Sequence, residues 1–350
     1  MGVQGMLRRL AFSVLGVALF GGGADPVAAK TRSLEIYWVD VEGGGATLIV
    51  TPAGESVLVD AGFPGERDAG RIHKVAKEVG LERIDHLVVT HYHLDHFGGV
   101  APLSALMPIG TLYEHGIDSA PERERTDPAL APYRDTRVGR RIVVKPGDEV
   151  LLAQVPGVAL LRLQFLGARQ EFVPAATDAP NEACVDAVER EHDASDNANS
   201  VVLRLDFGRF RFFDGGDLTW NAERRLVCPN DRVGGIDVYQ SNHHGLDDSG
   251  SPALLNTLRP TVVVFNNGPK KGGGKGSIAA VSALPSVQGV YQVHRNVQEG
   301  AINTSPERIA NLEEKCAANY VKLAVEPSGK GYTVSVPSTR HKRSYKTKAR

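Results

Sequence analysis

Three histidines and one aspartate fall within six residues, in the segment T-H-Y-H-L-D-H at 90–96. The segment follows an apolar run typical of a buried strand, and an apolar core cannot hold so many polar rings without partners. Imidazole nitrogens and a carboxylate are the usual ligands of zinc and similar cations. The spacing allows two metal ions, because His91 and His93 point the same way off an extended chain while Asp95 and His96 lie on the following turn.

The strands and the helix predicted before this segment would place it at the edge of a sheet. Alternating and apolar runs predict strands at 33–41, 46–51, 56–59 and 87–89. Apolar residues at helical spacing predict one helix at 67–79. The histidine segment therefore begins where the fourth of these strands ends.

The histidine segment, with Gly98-Gly99 after it, resembles the signature of the metallo-β-lactamase superfamily. That resemblance implies an α/β fold, the four-layer αββα sandwich, in which two mixed sheets are flanked by helices. It also implies a metal-dependent hydrolase that holds two zinc ions. We expect the hydrolase domain to cover residues 30–338.

Further strand ends carry polar groups where the superfamily places its other ligands. Asp60 resembles the aspartate that supports the histidine segment by hydrogen bonding. Asp217, after Gly216, resembles the carboxylate that bridges two metals, with Asp214 as the competing candidate. His243 or His244 resembles the closing histidine, and alternating side chains would let only one of the pair point at the site from a strand. We favour His244, because it directly precedes the glycine.

The third motif of the superfamily, a histidine in a strand-end turn, has no counterpart in this chain. The matching turn is S-D-N-A-N-S at 195–200, where Asp196 or Asn197 occupies the expected position. We predict that Asp196 is the ligand that replaces the histidine and that Asn197 and Ser200 are supporting residues. Exchange of imidazole for oxygen favours harder ions, so manganese or mixed occupancy is an alternative to zinc.

The turn from Asn197 to Ser200, the following hairpin to Gly216-Asp217 and the H-H-G segment resemble the hydrolase domain of competence proteins, the ComEC/Rec2-like branch. In this superfamily a metal-bound water of lowered pKa supplies the hydroxide that attacks the substrate, and Asp95 could accept or orient its proton. The branch points to a phosphoester or phosphodiester. The alternatives are a lactone or β-lactam hydrolase, and a non-catalytic binding protein that keeps the fold.

A glycine-rich segment at 268–276 carries Lys270, Lys271 and Lys275 and could bind a phosphate. It lacks the pattern of a nucleotide-binding loop, and we predict a flexible, solvated loop.

Residues 1–29 have the pattern of a secretory signal: a basic start, an apolar run and a small-residue site before Lys30. The apolar run is short for a membrane span, so we expect a secreted or periplasmic protein with no transmembrane span in the mature chain. An exported protein can keep disulfides, and Cys184 with Cys316 is one candidate pair among three cysteines.

The formal net charge of −1 gives no overall field that would recruit nucleic acid or a membrane. The partner we expect is a small-molecule or phosphoester substrate, and composition leaves the oligomeric state open. The C-terminal residues 339–350 are basic and without acids, which predicts a flexible tail. Such a tail could bind nucleic acid through its phosphates.

Overall fold

The structure, a computed structural model, describes residues 1–2 and 33–350. Apart from its first two residues, the predicted secretory signal lies outside the described residues. Among the described residues, no helix is long and apolar enough to cross a bilayer.

Eighteen strands of the described chain form two sheets. They are β1 Leu34–Trp38, β2 Thr47–Val50, β3 Ser56–Val59, β4 Ile84–Val88, β5 Ile109–Glu114, β6 Arg140–Val143, β7 Glu149–Val150, β8 Leu161–Ala168, β9 Glu171–Phe172, β10 Val202–Phe207, β11 Phe210–Asp214, β12 Val238–Gln240, β13 Val262–Phe265, β14 Gly289–His294, β15 Ile309–Asn311, β16 Val321–Val325, β17 Gly331–Val336 and β18 His341–Lys346. The α-helices are α1 Glu66–Glu78, α2 Leu94–Phe97, α3 Val100–Leu106, α4 Glu122–Arg125, α5 Leu130–Arg134, α6 Trp220–Val227, α7 Pro252–Leu258 and α8 Lys275–Ala283.

The first sheet has the strand order β18-β17-β16-β1-β2-β3-β4-β5-β6. The second has the order β15-β14-β13-β12-β11-β10-β8-β7, with β9 paired to β8. Strands β3 to β6 run parallel, and so do β11 to β15. Each sheet is therefore mixed, and the carboxyl ends of its parallel strands share one edge.

Alternation along the strands produces the layers. In β1, Ile36 and Trp38 pack between the two sheets, while Tyr37 faces the helices on the outside of the first sheet. Helix α1 buries Ile72 and Val75 in that outer layer. Helices α6, α7 and α8 cover the outer face of the second sheet. Three apolar clusters thus separate four layers, and the predicted αββα sandwich is confirmed.

One prediction about the chain outside the site is wrong, and one open choice of disulfide partner is resolved. Residues 341–346 of the predicted flexible tail form β18, which pairs with β17 along its whole length, and Tyr345 is buried. Arg350 forms an ion pair with Asp237, so the end of the chain is not a free basic arm. The disulfide joins Cys184 to Cys228, not to Cys316, because Cys228 at the end of α6 lies against the 3₁₀ turn that carries Cys184.

Candidate metal centre

Four buried side chains converge where the carboxyl ends of the parallel strands of the two sheets meet. The ligand atoms of Asp95, His96, Asp217 and His244 lie within 4.8 Å of one another. Nε2 of His96 is 3.1 Å from Nε2 of His244 and 3.1 Å from Oδ2 of Asp217. Oδ2 of Asp95 is 3.3 Å and 3.2 Å from the same two histidine nitrogens. We call these four residues the main cluster.

Asp60 supports the main cluster through hydrogen bonds to Thr90 and His96. Its Oδ1 accepts the backbone N–H of Thr90 at 2.8 Å, and its Oδ2 accepts the Thr90 hydroxyl at 2.8 Å. Nδ1 of His96 lies 2.6 Å from the same Oδ2. Because Nδ1–H of His96 donates to a carboxylate, the lone pair of the neutral ring lies on Nε2, which faces the main cluster. Asp60 thus fixes both the ring and its tautomer.

The ionisation of these groups is strongly coupled in the metal-free protein. Burial would lower the pKa of His96, but the carboxylates of Asp217 and Asp60 outweigh it and hold that pKa well above its ordinary value. Burial would raise the pKa of Asp217, yet His244 and His96 hold it well below the ordinary value. The positive charge of protonated His96 therefore balances these carboxylates, as a bound cation would.

The donor set fits a divalent cation. Imidazole and carboxylate are the ligands of zinc and related ions, and four of them already face one point. Nδ1 of His244 is buried and has no hydrogen-bond partner among the described residues. Bringing so many polar groups together in a buried place is unfavourable unless their charges are balanced, and a cation balances them.

A second, looser group of donors lies on the other side of Asp217. Nε2 of His91 is 3.1 Å from Nδ1 of His93 and 3.8 Å from Oδ2 of Asp217. Nε2 of His243 approaches the same oxygen at 3.7 Å. Oδ2 of Asp217 is therefore common to the main cluster and to this looser group, as the bridging role requires.

Both adjacent histidines face Asp217, contrary to the prediction that only one could. His243 and His244 are not in a strand: they follow β12 in a short turn with φ of 49° and 54°. Strand alternation therefore does not apply, and the left-handed backbone turns both rings toward the site. His244 joins the main cluster, while Nδ1 of His243 lies 2.8 Å from Oδ1 of Asp248.

The structure places Asp196 outside both groups. Its Oδ2 accepts the backbone N–H of Tyr92 at 2.7 Å and lies 2.9 Å from Nε2 of His115. Its Oδ1 accepts the side chain of Asn199 at 2.9 Å. Both oxygens are thus engaged, and the assignment of Asp196 as a metal ligand is not supported.

Asn197 faces the looser group instead. Its Nδ2 lies 3.4 Å from Nε2 of His243, and its Oδ1 is buried with no partner among the described residues. Ser200 lies one turn further, and its hydroxyl accepts the backbone N–H of Asp217 at 3.2 Å. The turn therefore places an asparagine, instead of a histidine, beside His243, and Ser200 positions the backbone of Asp217.

Asp214, the competing carboxylate, belongs to a separate network. Its Oδ1 accepts the backbone N–H of Gly216 at 2.9 Å, and its Oδ2 accepts the side chain of Gln240 at 2.8 Å. Burial raises the pKa of Asp214 to about 7. It lies beneath the site and supports the turn that presents Asp217.

A family model described as the metallo-beta-lactamase superfamily matches residues 40–166, the span that holds Asp60 and the histidine segment. Residues 40–166 are a metallo-beta-lactamase superfamily domain. Together with the buried main cluster, the match indicates a metallo-beta-lactamase fold whose site could hold divalent metal ions.

Over 229 residues the chain is 24% identical to Competence protein ComA of Neisseria gonorrhoeae, a match that covers 65% of this chain and 26% of ComA. The chain spans about a quarter of the length of this curated relative. The similarity agrees with the expected competence-protein branch of the metallo-beta-lactamase superfamily.

Solved structures of low sequence identity also align with this chain. The metallo-beta-lactamase fold protein YhfI from Bacillus subtilis is 12% identical, with a TM-score of 0.45, over 74% of this chain and 95% of YhfI. A diphosphatase from the PhnP family is 14% identical, with a TM-score of 0.38, over 74% of this chain and 94% of that chain.

Sequence reasoning missed two residues at the metallo-beta-lactamase site. The ammonium group of Lys271 contacts Oδ2 of Asp95, although its loop was predicted to be solvated and flexible. The carboxylate of Glu124 lies 3.5 Å from Nε2 of His93. For Lys271 the abundance of lysine in the loop was a usable signal, whereas no spacing pointed to Glu124.

Proposed function

We propose that this chain is an exported hydrolase that cleaves a phosphoester or phosphodiester. The observation that carries the proposal is the contact between Lys271 and Asp95, which puts a fixed positive charge beside the main cluster. The oxyanion of a lactone or a β-lactam at the reacting group forms only during the reaction, whereas a phosphoryl group carries negative charge throughout its reaction and is therefore attracted to this cation before the reaction begins.

The position of Lys271 is set by backbone packing. The Gly268 N–H donates to the Lys271 carbonyl at 2.8 Å, and the loop lies directly against Gly43, where an added Cβ would come within 2.9 Å of Cβ of Lys271. About one third of the Lys271 side chain is exposed, at 34%. The ammonium group therefore borders the main cluster and still reaches solvent.

The two groups of donors would hold divalent ions: Asp95, His96 and His244 on one side, His91 and His93 on the other, and Asp217 between them. Bound metal would supply Lewis-acid polarisation of the substrate and lower the pKa of a bound water. With a cation beside Asp95, Lys271 loses its competing partner and can bind a substrate oxygen by a charge-assisted hydrogen bond. Glu124 and Asp60 then orient the two histidines, His93 and His96, that they contact.

The disulfide supports the proposal of export. Cys184 and Cys228 join a long loop to the end of α6, and such bonds persist in oxidising compartments outside the cytosol. Cell fractionation with N-terminal sequencing tests this part. A protein that stays in the cytosol with residues 1–29 uncleaved contradicts it.

The substrate test compares three substrate classes on metal-loaded protein: bis-nitrophenyl phosphate, an acyl-homoserine lactone and a chromogenic cephalosporin. We expect turnover of the phosphodiester. Turnover of the lactone or cephalosporin alone would refute the proposed substrate class and support the cyclic ester or amide alternative. Metal binding without turnover of any phosphoester would favour a binding protein.

A pair of neighbouring lysines gives a matched control. Lys271→Ala should raise KM for the phosphodiester by about 10-fold, the effect of one charge-assisted hydrogen bond of 1.5–3 kcal/mol in a partly exposed position. Lys270→Ala removes the same charge from the same loop, but Lys270 pairs with Glu314 on the surface and should leave KM unchanged. Equal effects of the two variants would refute a specific role for Lys271.

A further inference from the structure

A second set of metal-binding side chains lies outside the main cluster and the looser group, with no residue in common. Asp40 follows β1 of the first sheet, His294 ends β14 of the second sheet, and Cys316 lies in the connection from β15 to β16. The ligand atoms of these three residues lie within 4.8 Å of one another. Three segments far apart in the sequence thus bring an oxygen, a nitrogen and a sulfur to one point.

His294 is set up as a ligand. Its side chain has 0% exposure, and its Nδ1 lies 3.0 Å from the Arg295 carbonyl oxygen, to which Nδ1–H donates. Nε2 therefore carries the lone pair, and it is buried without a hydrogen-bond partner among the described residues. Metal-bound histidines usually donate their other ring N–H to a carbonyl or carboxylate in this way. A buried nitrogen with no partner is otherwise unfavourable.

Cys316 and Asp40 already contact each other. The Cys316 thiol donates to Oδ2 of Asp40 at 3.0 Å. The other oxygen of Asp40 accepts the backbone N–H of Glu42 at 3.0 Å, which fixes the carboxylate. Cys316 is the free cysteine of the described chain, since Cys184 and Cys228 form the disulfide.

The charges near this set are compatible with a cation. A thiolate and a carboxylate would bring two negative charges, which balance a divalent ion. Arg71 lies 3.4 Å from Oδ2 of Asp40, the oxygen that the Cys316 thiol also contacts, and forms a second ion pair with Glu42 at 2.8 Å. The positive charge of Arg71 is thus shared with Glu42, and the contact with Glu42 is the shorter of the two.

We propose that Asp40, His294 and Cys316 bind a divalent ion of the zinc type, separate from the ions of the hydrolytic centre. Thiolate, imidazole and carboxylate are ligands that zinc accepts together, and a water would complete four-coordination. On binding, the Cys316 thiol gives its proton to solvent and the sulfur bonds to the metal, so metal uptake releases one proton. The ion would join the two sheets and the β15–β16 connection at one point.

Cobalt provides a readout that the hydrolytic centre cannot produce. Thiolate ligation to Co²⁺ gives a near-ultraviolet charge-transfer absorption, and neither the main cluster nor the looser group contains a cysteine. Full-length protein with its disulfide intact, loaded with Co²⁺, should show this absorption. It should disappear in Cys316→Ser and weaken strongly in His294→Gln, with circular dichroism confirming that both variants are folded.

His96→Ala is the control, because it removes a ligand of the main cluster and should leave the charge-transfer absorption intact. Zinc loading of the wild type should also slow the reaction of the Cys316 thiol with a disulfide reagent. Absence of the absorption in folded, cobalt-loaded wild type overturns the proposal. So does an absorption that His294→Gln leaves unchanged, since this would mean that the thiol binds cobalt adventitiously.

Discussion

Asp60→Asn is the substitution that most directly tests how the metal centre is held. In the structure, Oδ2 of Asp60 receives Nδ1–H of His96 at 2.6 Å and the Thr90 hydroxyl at 2.8 Å. An asparagine amide would place N–H groups there, so two donors would face each other. His96 can avoid this conflict only by moving its proton to Nε2, which would then no longer offer a lone pair to the metal.

The expected loss is about 10–100-fold in affinity for the ion bound by the main cluster, the usual effect of losing a residue that orients a metal ligand. This corresponds to about 1.4–2.7 kcal/mol. Backbone strain does not contribute, because Asp60 has φ of 61° and asparagine tolerates that region as well as aspartate does. The change therefore isolates the tautomer of His96.

The measurement is a competition titration of metal-free protein against a chromophoric chelator, which resolves ions of different affinity. Asp85→Asn is the matched control: Oδ2 of Asp85 accepts the amide and the hydroxyl of Ser56, each at 3.0 Å, but Asp85 is not part of the metal centre. Wild-type affinity for both ions in Asp60→Asn, or an equal loss in Asp85→Asn, would refute the reasoning.

Three further perturbations have outcomes fixed by the structure. Asn197→Ala should lower the affinity for the ion near His243, while Asn197→His should raise it. Metal analysis after dialysis measures both effects, and unchanged metal content in both variants would mean that water, not residue 197, fills this position. The C184S/C228S variant opens a loop with a sequence separation of 44. It should lose about 4 kcal/mol of unfolding free energy in urea, and a loss near zero would contradict the loop-closure argument. Burial raises the pKa of Asp214 from 3.8 to about 7, so its contribution to stability is complete below its unfolded pKa and is lost as pH rises through about 7. The unfolding free energy of the metal-free wild type relative to Asp214→Asn should thus fall by about 4 kcal/mol across that range, and a constant difference would disprove the shift.

The sandwich and the main cluster could be predicted because local patterns encode them. Asp60, His91 and Asp217 each lie within three residues of the end of a strand, and strand ends can be recognised from short apolar runs. The orientation of His243 could not be predicted, since it depends on a left-handed turn that the residue types H-H-G do not uniquely require. The engagement of Asp196 by Tyr92 and His115 arises from contacts far apart in the sequence, which no spacing reveals.

The tail was predicted wrongly for a related reason. The basic residues that suggested a flexible tail, such as Lys342 and Lys346, lie on the exposed face of β18. The opposite face buries Tyr345 against Tyr332 of β17 with stacked rings 5.3 Å apart. One buried aromatic residue and a full ladder of backbone hydrogen bonds stabilise this strand. Neither contribution can be inferred from the number of charged residues.

The position of β1 has a consequence for the order in which the molecule is made. This strand begins the described sandwich, yet it lies inside the first sheet, paired on one side with β2 and on the other with β16 near the end of the chain. A ribosome that has synthesised the first 300 residues has produced the histidine segment, Asp217 and His244, but not the strand that completes the pairing of β1. Such distant pairing is slow to form. The first sheet therefore cannot close until β16 has been synthesised, well after the residues of the metal centre.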